Sequence, residues 1–130
     1  MNIKEKILDI KEVEDRTEFG RKYDGFEVQT TEQVIFVGIS NYQDCCEDWG
    51  YVSTVDDVKD YIDAELLNIV IVDENLNTKD FVESDESAAM FVNFETSKGT
   101  FQLTMYNIHN GYYSHDAVLV SRQLDREVVL

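Results

Sequence analysis

The sequence contains no proline, and only two cysteines and two histidines occur among its 130 residues. It also shows no internal repeat and no low-complexity stretch at which a second domain could begin. We therefore expect a single domain over residues 1–130. A chain of this length buries a hydrophobic core without needing disulfides or a structural metal.

The two cysteines, Cys45 and Cys46, are direct neighbours. Adjacent cysteines rarely join, because disulfide geometry strains the peptide between them. No disulfide framework is expected, which fits a reducing compartment. No apolar run approaches the roughly 18 residues of a membrane span, and the N-terminus lacks the basic-then-apolar order of a signal peptide. These features predict a cytoplasmic protein with no membrane partner.

Basic residues are scarce. Eleven lysines and arginines stand against 27 aspartates and glutamates, which gives a net charge of −16. Direct nucleic-acid binding is not expected, because nucleic-acid phosphates would repel such a surface. The apolar fraction of 43% argues against a disordered acidic tail, since this chain can bury enough surface to offset its conformational entropy.

The excess acid is confined to one stretch of the chain. Residues 1–22 and 98–130 each carry as many bases as acids, whereas residues 23–97 hold eighteen acids against Lys59 and Lys79. One interpretation is a solvated face that aids solubility. Self-repulsion of this size destabilises the folded state, so a functional role for the charge is also expected. The role that electrostatics favours is complementarity to a basic partner protein. The carboxylates would then stand where nucleic-acid phosphates would lie.

Two segments, Asp44–Tyr51 and Asn107–Asp116, concentrate side chains that proteins use in binding sites. Together with the acids of the predicted helix described below, they supply the predicted partner-binding residues. These residues are Asp44, Glu47, Asp48, Trp49, Tyr51, Asp56, Asp57, Asp60, Asp63, Tyr112 and Tyr113. The acids would pair with basic groups, and the aromatic rings would add contact area unless they simply cover the core.

The same two segments contain candidate zinc ligands. Cys45 or Cys46, with His109 and His115 and a carboxylate, would supply the ligand types of a tetrahedral zinc site. Directly adjacent cysteines are an unusual ligand pair, because successive side chains tend to point apart. Zinc is therefore a candidate cofactor, and no other cofactor is expected.

No motif predicts catalysis. A cysteine nucleophile is disfavoured, because Asp44, Glu47 and Asp48 would raise the pKa of the neighbouring thiols. Glycine-rich phosphate loops and the HExxH motif are absent from the sequence. We expect a protein that is not an enzyme.

Local patterns predict an α+β fold, mainly antiparallel β-sheet with one or two short helices. The clearest helix prediction covers residues 55–63. Within it Val55, Val58 and Ile62 share one face, and Thr54 precedes it as the N-cap.

Strands are predicted where apolar and polar residues alternate or where β-branched and aromatic residues cluster. They comprise a hairpin of Phe26–Gln29 with Gln33–Ser40, a strand at Leu66–Val72 that is buried on both faces or largely covered, a hairpin of Met90–Phe94 with Phe101–Met105, and closing strands at Ala117–Ser121 and Arg126–Val129. Residues 2–12 fit a helix or a strand, and loops are predicted from Asn41 onward and over residues 73–88.

The DCCE motif at Asp44–Glu47, which follows a predicted strand, and the NGYY motif at Asn110–Tyr113 carry a family resemblance. Over residues 25–121 the sequence resembles a family of small uncharacterised domains of bacterial phages and mobile elements. The resemblance implies a phage-like setting in a bacterial host cell, and it implies no particular activity or ligand. In size and charge the protein is also similar to acidic anti-CRISPR inhibitors, which occupy nucleic-acid surfaces of their targets.

These observations lead to two functional hypotheses. The first is a counter-defence protein, an anti-CRISPR inhibitor that binds a basic surface of a CRISPR-Cas effector and blocks nucleic-acid loading. The alternative is a small-molecule binder, such as a sponge for a nucleotide immune signal. That alternative predicts a pocket with at least one arginine, and Arg122 is the first candidate.

Overall fold

A computed structural model of the protein describes residues 3–41, 48–53, 57–72, 87–108, 116–122 and 125–130. Its nine strands, β1 to β9, span Glu5–Glu18, Arg21–Thr30, Val34–Ser40, Asp48–Ser53, Glu65–Val72, Ser87–Thr96, Gly99–Ile108, Asp116–Val120 and Asp125–Val129. They form one sheet in the order β4-β7-β6-β5-β1-β2-β3-β8-β9. Every neighbouring pair is antiparallel.

This architecture is all-β, so the predicted α+β class is wrong. Within the described ranges the helical structure is one turn of 3₁₀ helix at Val58–Tyr61, inside the span 55–63 that was predicted as an α-helix. A segment this short, rich in aspartate and β-branched valine, lacks the helix propensity that would offset the cost of nucleation. Its apolar side chains Val58 and Tyr61 pack against the core of the sheet from that single turn. None of this helical structure could cross a membrane.

The residues that flank the 3₁₀ turn limit it to Val58–Tyr61. Asp57 caps its start, and its carboxylate accepts a hydrogen bond from the backbone N–H of Lys59 at 2.9 Å. Thr54, the predicted cap, lies outside the described residues. At the other end Ile62 is extended and Asp63 has a φ of 74°, a left-handed conformation that ends the turn just before β5.

The two predicted hairpins are confirmed. β2 pairs with β3, with Phe26 opposite Val37. β6 pairs with β7, with Phe94 opposite Phe101 and Thr96 opposite Gly99 at the turn. The predicted closing strands correspond to β8 and β9, which pair with each other.

Three parts of the sheet differ from the predictions. Of residues 2–12, predicted as a helix or a strand, those from Glu5 onward form the start of β1, which continues to Glu18 and joins β2 through a tight turn with positive φ at Phe19 and Gly20. β4 lies where a loop was predicted. Residues 73–86 of the predicted loop lie outside the described residues, and Ser87 already begins β6.

β5 is covered on one face and partly open on the other, so it is not buried on both faces, which was the first of the two predicted alternatives. Leu66 and Ile69 are buried, whereas Leu67 and Val72 are each 37% exposed. A register irregularity between Leu66 and Asn68 opposite β6 changes the alternation at this point.

The sheet folds over at β1. Glu5 and Lys6 pair with β5, whereas the rest of β1 pairs with β2. The junction with β5 is only two residue pairs long, and side chains from both halves pack into one hydrophobic core. Phe26 of β2 and Tyr51 of β4 meet across the halves, with ring centroids 5.2 Å apart in an edge-on arrangement.

The centre of this core is aromatic. Phe94 and Phe101 stack in parallel with centroids 4.9 Å apart, and neither has any exposed surface. Leu103 and Met105 extend the buried face of β7. Burial of each large side chain contributes about 1.5–3 kcal/mol.

We predict that Phe101→Ala lowers the free energy of unfolding by about 3–5 kcal/mol, because it leaves a cavity beside Phe94. Phe19→Ala, at the 59% exposed position in the β1–β2 turn, is the matched control. It should change stability by less than about 0.5 kcal/mol. Urea unfolding followed by circular dichroism measures both, and equal losses would contradict this account of the core.

Candidate functional site

The structure describes the side chains of five predicted partner-binding residues: Trp49, Tyr51, Asp57, Asp60 and Asp63. The side chains of Asp44, Glu47, Asp48, Asp56, Tyr112 and Tyr113, and those of the predicted zinc ligands Cys45, Cys46, His109 and His115, lie outside the described part. In the part that is described, no group of three or more His, Cys, Asp or Glu is placed to hold a metal ion. The zinc site stays a prediction.

Tyr51 and Asp57 line an open groove of about 800 Å³. The groove lies between β1, β2, β4 and the 3₁₀ turn. Asp60 and Asp63 are exposed close by in sequence but do not line it, and Trp49 packs against the core. The fold therefore brings two of the five described residues into one concave site.

Apolar side chains form much of the lining. Ile10 and Phe26 are buried, and Val58 packs against the same core from the 3₁₀ turn. The ring of Tyr51 extends this surface across to β4. A lining of this kind suits the aliphatic or aromatic part of a ligand.

A hydrogen bond across the groove joins its two walls. The hydroxyl of Tyr51 donates to Oε2 of Glu12 over 3.3 Å. Burial, helped by the negative charge of Glu12 and by this bond, raises the pKa of Tyr51 from its ordinary value of 10.0 to about 12. The hydroxyl therefore remains a donor at neutral pH and orients the exposed carboxylate of Glu12.

The two lysines of the groove are already paired. Nζ of Lys59 lies 3.2 Å from Oδ1 of Asp9 and donates to the carbonyl of Ile10 at 3.3 Å. The hydrogen bond that Lys59 donates to Asp9, together with the charge of Lys59, lowers the pKa of Asp9, although desolvation acts in the opposite direction. Nζ of Lys11 lies 3.9 Å from Oε1 of Glu27.

Two carboxylates of the groove have no such partner. Among the described residues, no lysine or arginine forms an ion pair with Glu12 or Asp57. Asp57 is held instead by its capping bond to the backbone N–H of Lys59. The lining itself carries two lysines and two carboxylates, and the carboxylates of Asp9 and Glu27 beside the lysines make the charge of this region negative.

Ion pairs within the protein also occupy several bases outside the groove. They are Lys6 with Asp63, Arg16 with Glu18 and Glu27, Arg21 with Asp116, and Arg122 with Glu32. Arg122, predicted to serve a nucleotide pocket, follows β8, where its Nη1 donates to the carbonyl of Glu32 at 3.2 Å. It does not line this groove, so the prediction finds no support here.

Sequence patterns missed Glu12 and Phe26 as members of the site. Glu12 and Tyr51 are 39 positions apart, and their contact depends on how the sheet folds over. No local motif marks either residue. Tyr51 and Asp57 could be predicted from the sequence, because Tyr51 ends the Asp44–Tyr51 segment and Asp57 is one of the acids of the predicted helix 55–63.

We predict that Tyr51 contributes to stability at ordinary pH and that this contribution is lost in alkali. Its folded pKa of about 12 lies above the ordinary 10.0, so the contribution is complete below pH 10 and disappears as the pH rises through 12. Absorbance at 295 nm should show a phenolate that forms near pH 12 and is missing in Tyr51→Phe. Glu12→Gln should move this ionisation to lower pH, and an unchanged titration would contradict the contact.

A family model described as a domain of unknown function (DUF7448) matches residues 2–119. No curated protein matches the chain, and no solved structure does. The family match implies no particular activity.

Proposed function

We propose a function for this chain, which belongs to the DUF7448 family of domains of unknown function: it is a non-enzymatic domain that binds a basic surface of a partner protein. The contact surface comprises the groove and the exposed acids of the segment that contains the 3₁₀ turn. The observation that carries the proposal is the charge of this region, where Glu12, Asp57 and Asp60 form no ion pair with a described base.

The acids of this segment are available to a partner. Asp57 and Asp60 are exposed, and Asp63 retains 67% exposure of its side chain despite its pairing with Lys6. Exposed pairs of this kind contribute at most about 1 kcal/mol, so a partner's arginine could displace Lys6 at little cost. Three carboxylates within seven positions therefore present one negative surface.

The whole chain strengthens the effect of this surface. A net charge of −16 attracts a basic partner over a longer range than any single contact and raises the rate of encounter. The same charge repels nucleic acid and other acidic proteins. Electrostatics therefore selects for partners with basic surfaces.

The specific partner that we propose is a CRISPR-Cas effector, whose nucleic-acid channel would be blocked by carboxylates standing where phosphates lie. Support comes from the size and charge of the domain, which are similar to those of acidic anti-CRISPR inhibitors. A nucleotide-binding role is not favoured, because Glu12 and Asp57 would repel phosphates and Arg122 lies away from the groove.

We predict that binding depends on the acids beside the groove. Asp60→Asn with Asp63→Asn should weaken binding to the partner about threefold to tenfold at low salt, because two exposed charges are lost. Asp125→Asn with Glu127→Gln removes two charges from β9 at the other end of the sheet and should leave affinity nearly unchanged. Purified Cas effectors, with and without guide RNA, are the candidate partners, and biolayer interferometry measures the affinities.

Salt provides an independent check of the same proposal. Affinity should fall steeply between about 50 and 300 mM salt, where screening shortens the range of exposed charges. Binding that is indifferent to salt, or equally weakened in both double variants, would overturn the proposed contact surface. Failure of every Cas effector to bind would overturn the specific identity of the partner.

A further inference from the structure

The two terminal strands of the described sheet differ in their chemistry. On β9 the three side chains that the structure describes, Asp125, Arg126 and Glu127, are all exposed. Charges at a sheet edge discourage another strand from pairing. β4 has one charged residue, Asp48 at its start, and none over positions 49–53, where Val52 is 46% exposed. Its composition is that of an edge that accepts an added strand.

The groove lies beside this edge. In the described sheet β4 pairs with β7 alone, with Tyr51 opposite Met105. Tyr51, Val52 and Ser53 of β4 line the groove, and none of its lining residues comes from β7. The groove therefore lies between β4 and the residues of β1, β2 and the 3₁₀ turn, and its volume of about 800 Å³ suits several side chains of an extended segment.

The charges of the groove select a basic occupant. Glu12 and Asp57 lack an ion-pair partner among the described bases, whereas Nζ of Lys11 and Nζ of Lys59 lie 3.9 and 3.2 Å from carboxylates outside the lining. A lysine or arginine fits this arrangement, because its aliphatic stem can lie on the apolar wall while its charged end reaches a carboxylate. The ring of Tyr51 would add a cation–π contact.

We infer that this groove takes an extended basic segment of the partner protein, which adds a strand beside β4, the terminal strand of the described sheet, and places a lysine or arginine side chain between Glu12 and Asp57. The inference rests on the proposed function and names the form in which the partner is recognised. A second copy of this chain is a poor occupant, because two domains of charge −16 repel each other. Complementarity of charge favours the basic segment.

A fluorescent peptide tests the inference without altering the protein. The probe is an eight-residue peptide that alternates arginine and valine, and two further versions carry N-methyl groups on all arginines or on all valines. In an added strand, alternate N–H groups face the host strand, so only one methylated version loses its hydrogen bonds. We expect fluorescence anisotropy to show about a tenfold loss for one version and nearly full affinity for the other.

Protein variants test the charge in the same assay. Glu12→Gln keeps an oxygen that can accept the hydrogen bond of Tyr51 but removes the charge, and it should weaken the peptide about threefold to tenfold. Glu14→Gln, a neighbouring exposed acid of β1 that does not line the groove, is the matched control and should bind within about twofold of wild type. Thermal unfolding confirms that both variants are folded.

Specific outcomes would overturn the inference. They are equal binding of the two methylated peptides, equal effects of Glu12→Gln and Glu14→Gln, and failure of the unmethylated peptide to bind. None of these decides the broader proposal, because Asp60 and Asp63 lie outside the groove lining and their variants are measured on the whole partner. The two failures are therefore distinguishable.

Discussion

β1 pairs with both halves of the sheet, and this double pairing positions the groove and the 3₁₀ turn. Its first residues bond to β5, and the backbone of Ile7 also holds the end of the turn segment, with hydrogen bonds of 2.8 and 2.9 Å to Asp63 and Ala64. Farther along, Ile10 enters the shared core and Glu12 reaches Tyr51. One strand thus determines the distance between the acids of the turn and those of the groove.

The charge of the chain is distributed differently in space than in sequence. Residues 1–22 are neutral in total, yet some of their bases pair with acids of the 23–97 stretch, as Lys6 does with Asp63. In return Lys59, from the acidic stretch, pairs with Asp9 of β1. The acidic surface therefore depends on which carboxylates form no ion pair with a described lysine or arginine.

Local patterns predicted the parts of the fold that depend on neighbours in sequence. The β6–β7 hairpin alternates cleanly around Gly99, and its partners are a few residues apart. The second half of β1 escaped prediction because charged and polar residues occupy both of its faces there, where several side chains are exposed. The helix at 55–63 was wrong because a stripe of apolar residues also suits a single turn on a sheet. The Glu12–Tyr51 contact depends on the folding over of the sheet, which no local pattern encodes.

The carboxylates of the surface differ in how firmly they are held, and under the proposed function this difference predicts separate effects on binding. Glu12 is oriented by Tyr51, and Asp57 is fixed by its capping bond, so neither loses much freedom when a cation arrives. Asp60 forms no such bond among the described contacts. Exposed, unrestrained acids act mainly on the rate of encounter, whereas oriented acids beside an apolar wall act on the lifetime of the complex. Loss of Asp60 should therefore lower mainly the association rate constant, and loss of Glu12 should raise mainly the dissociation rate constant.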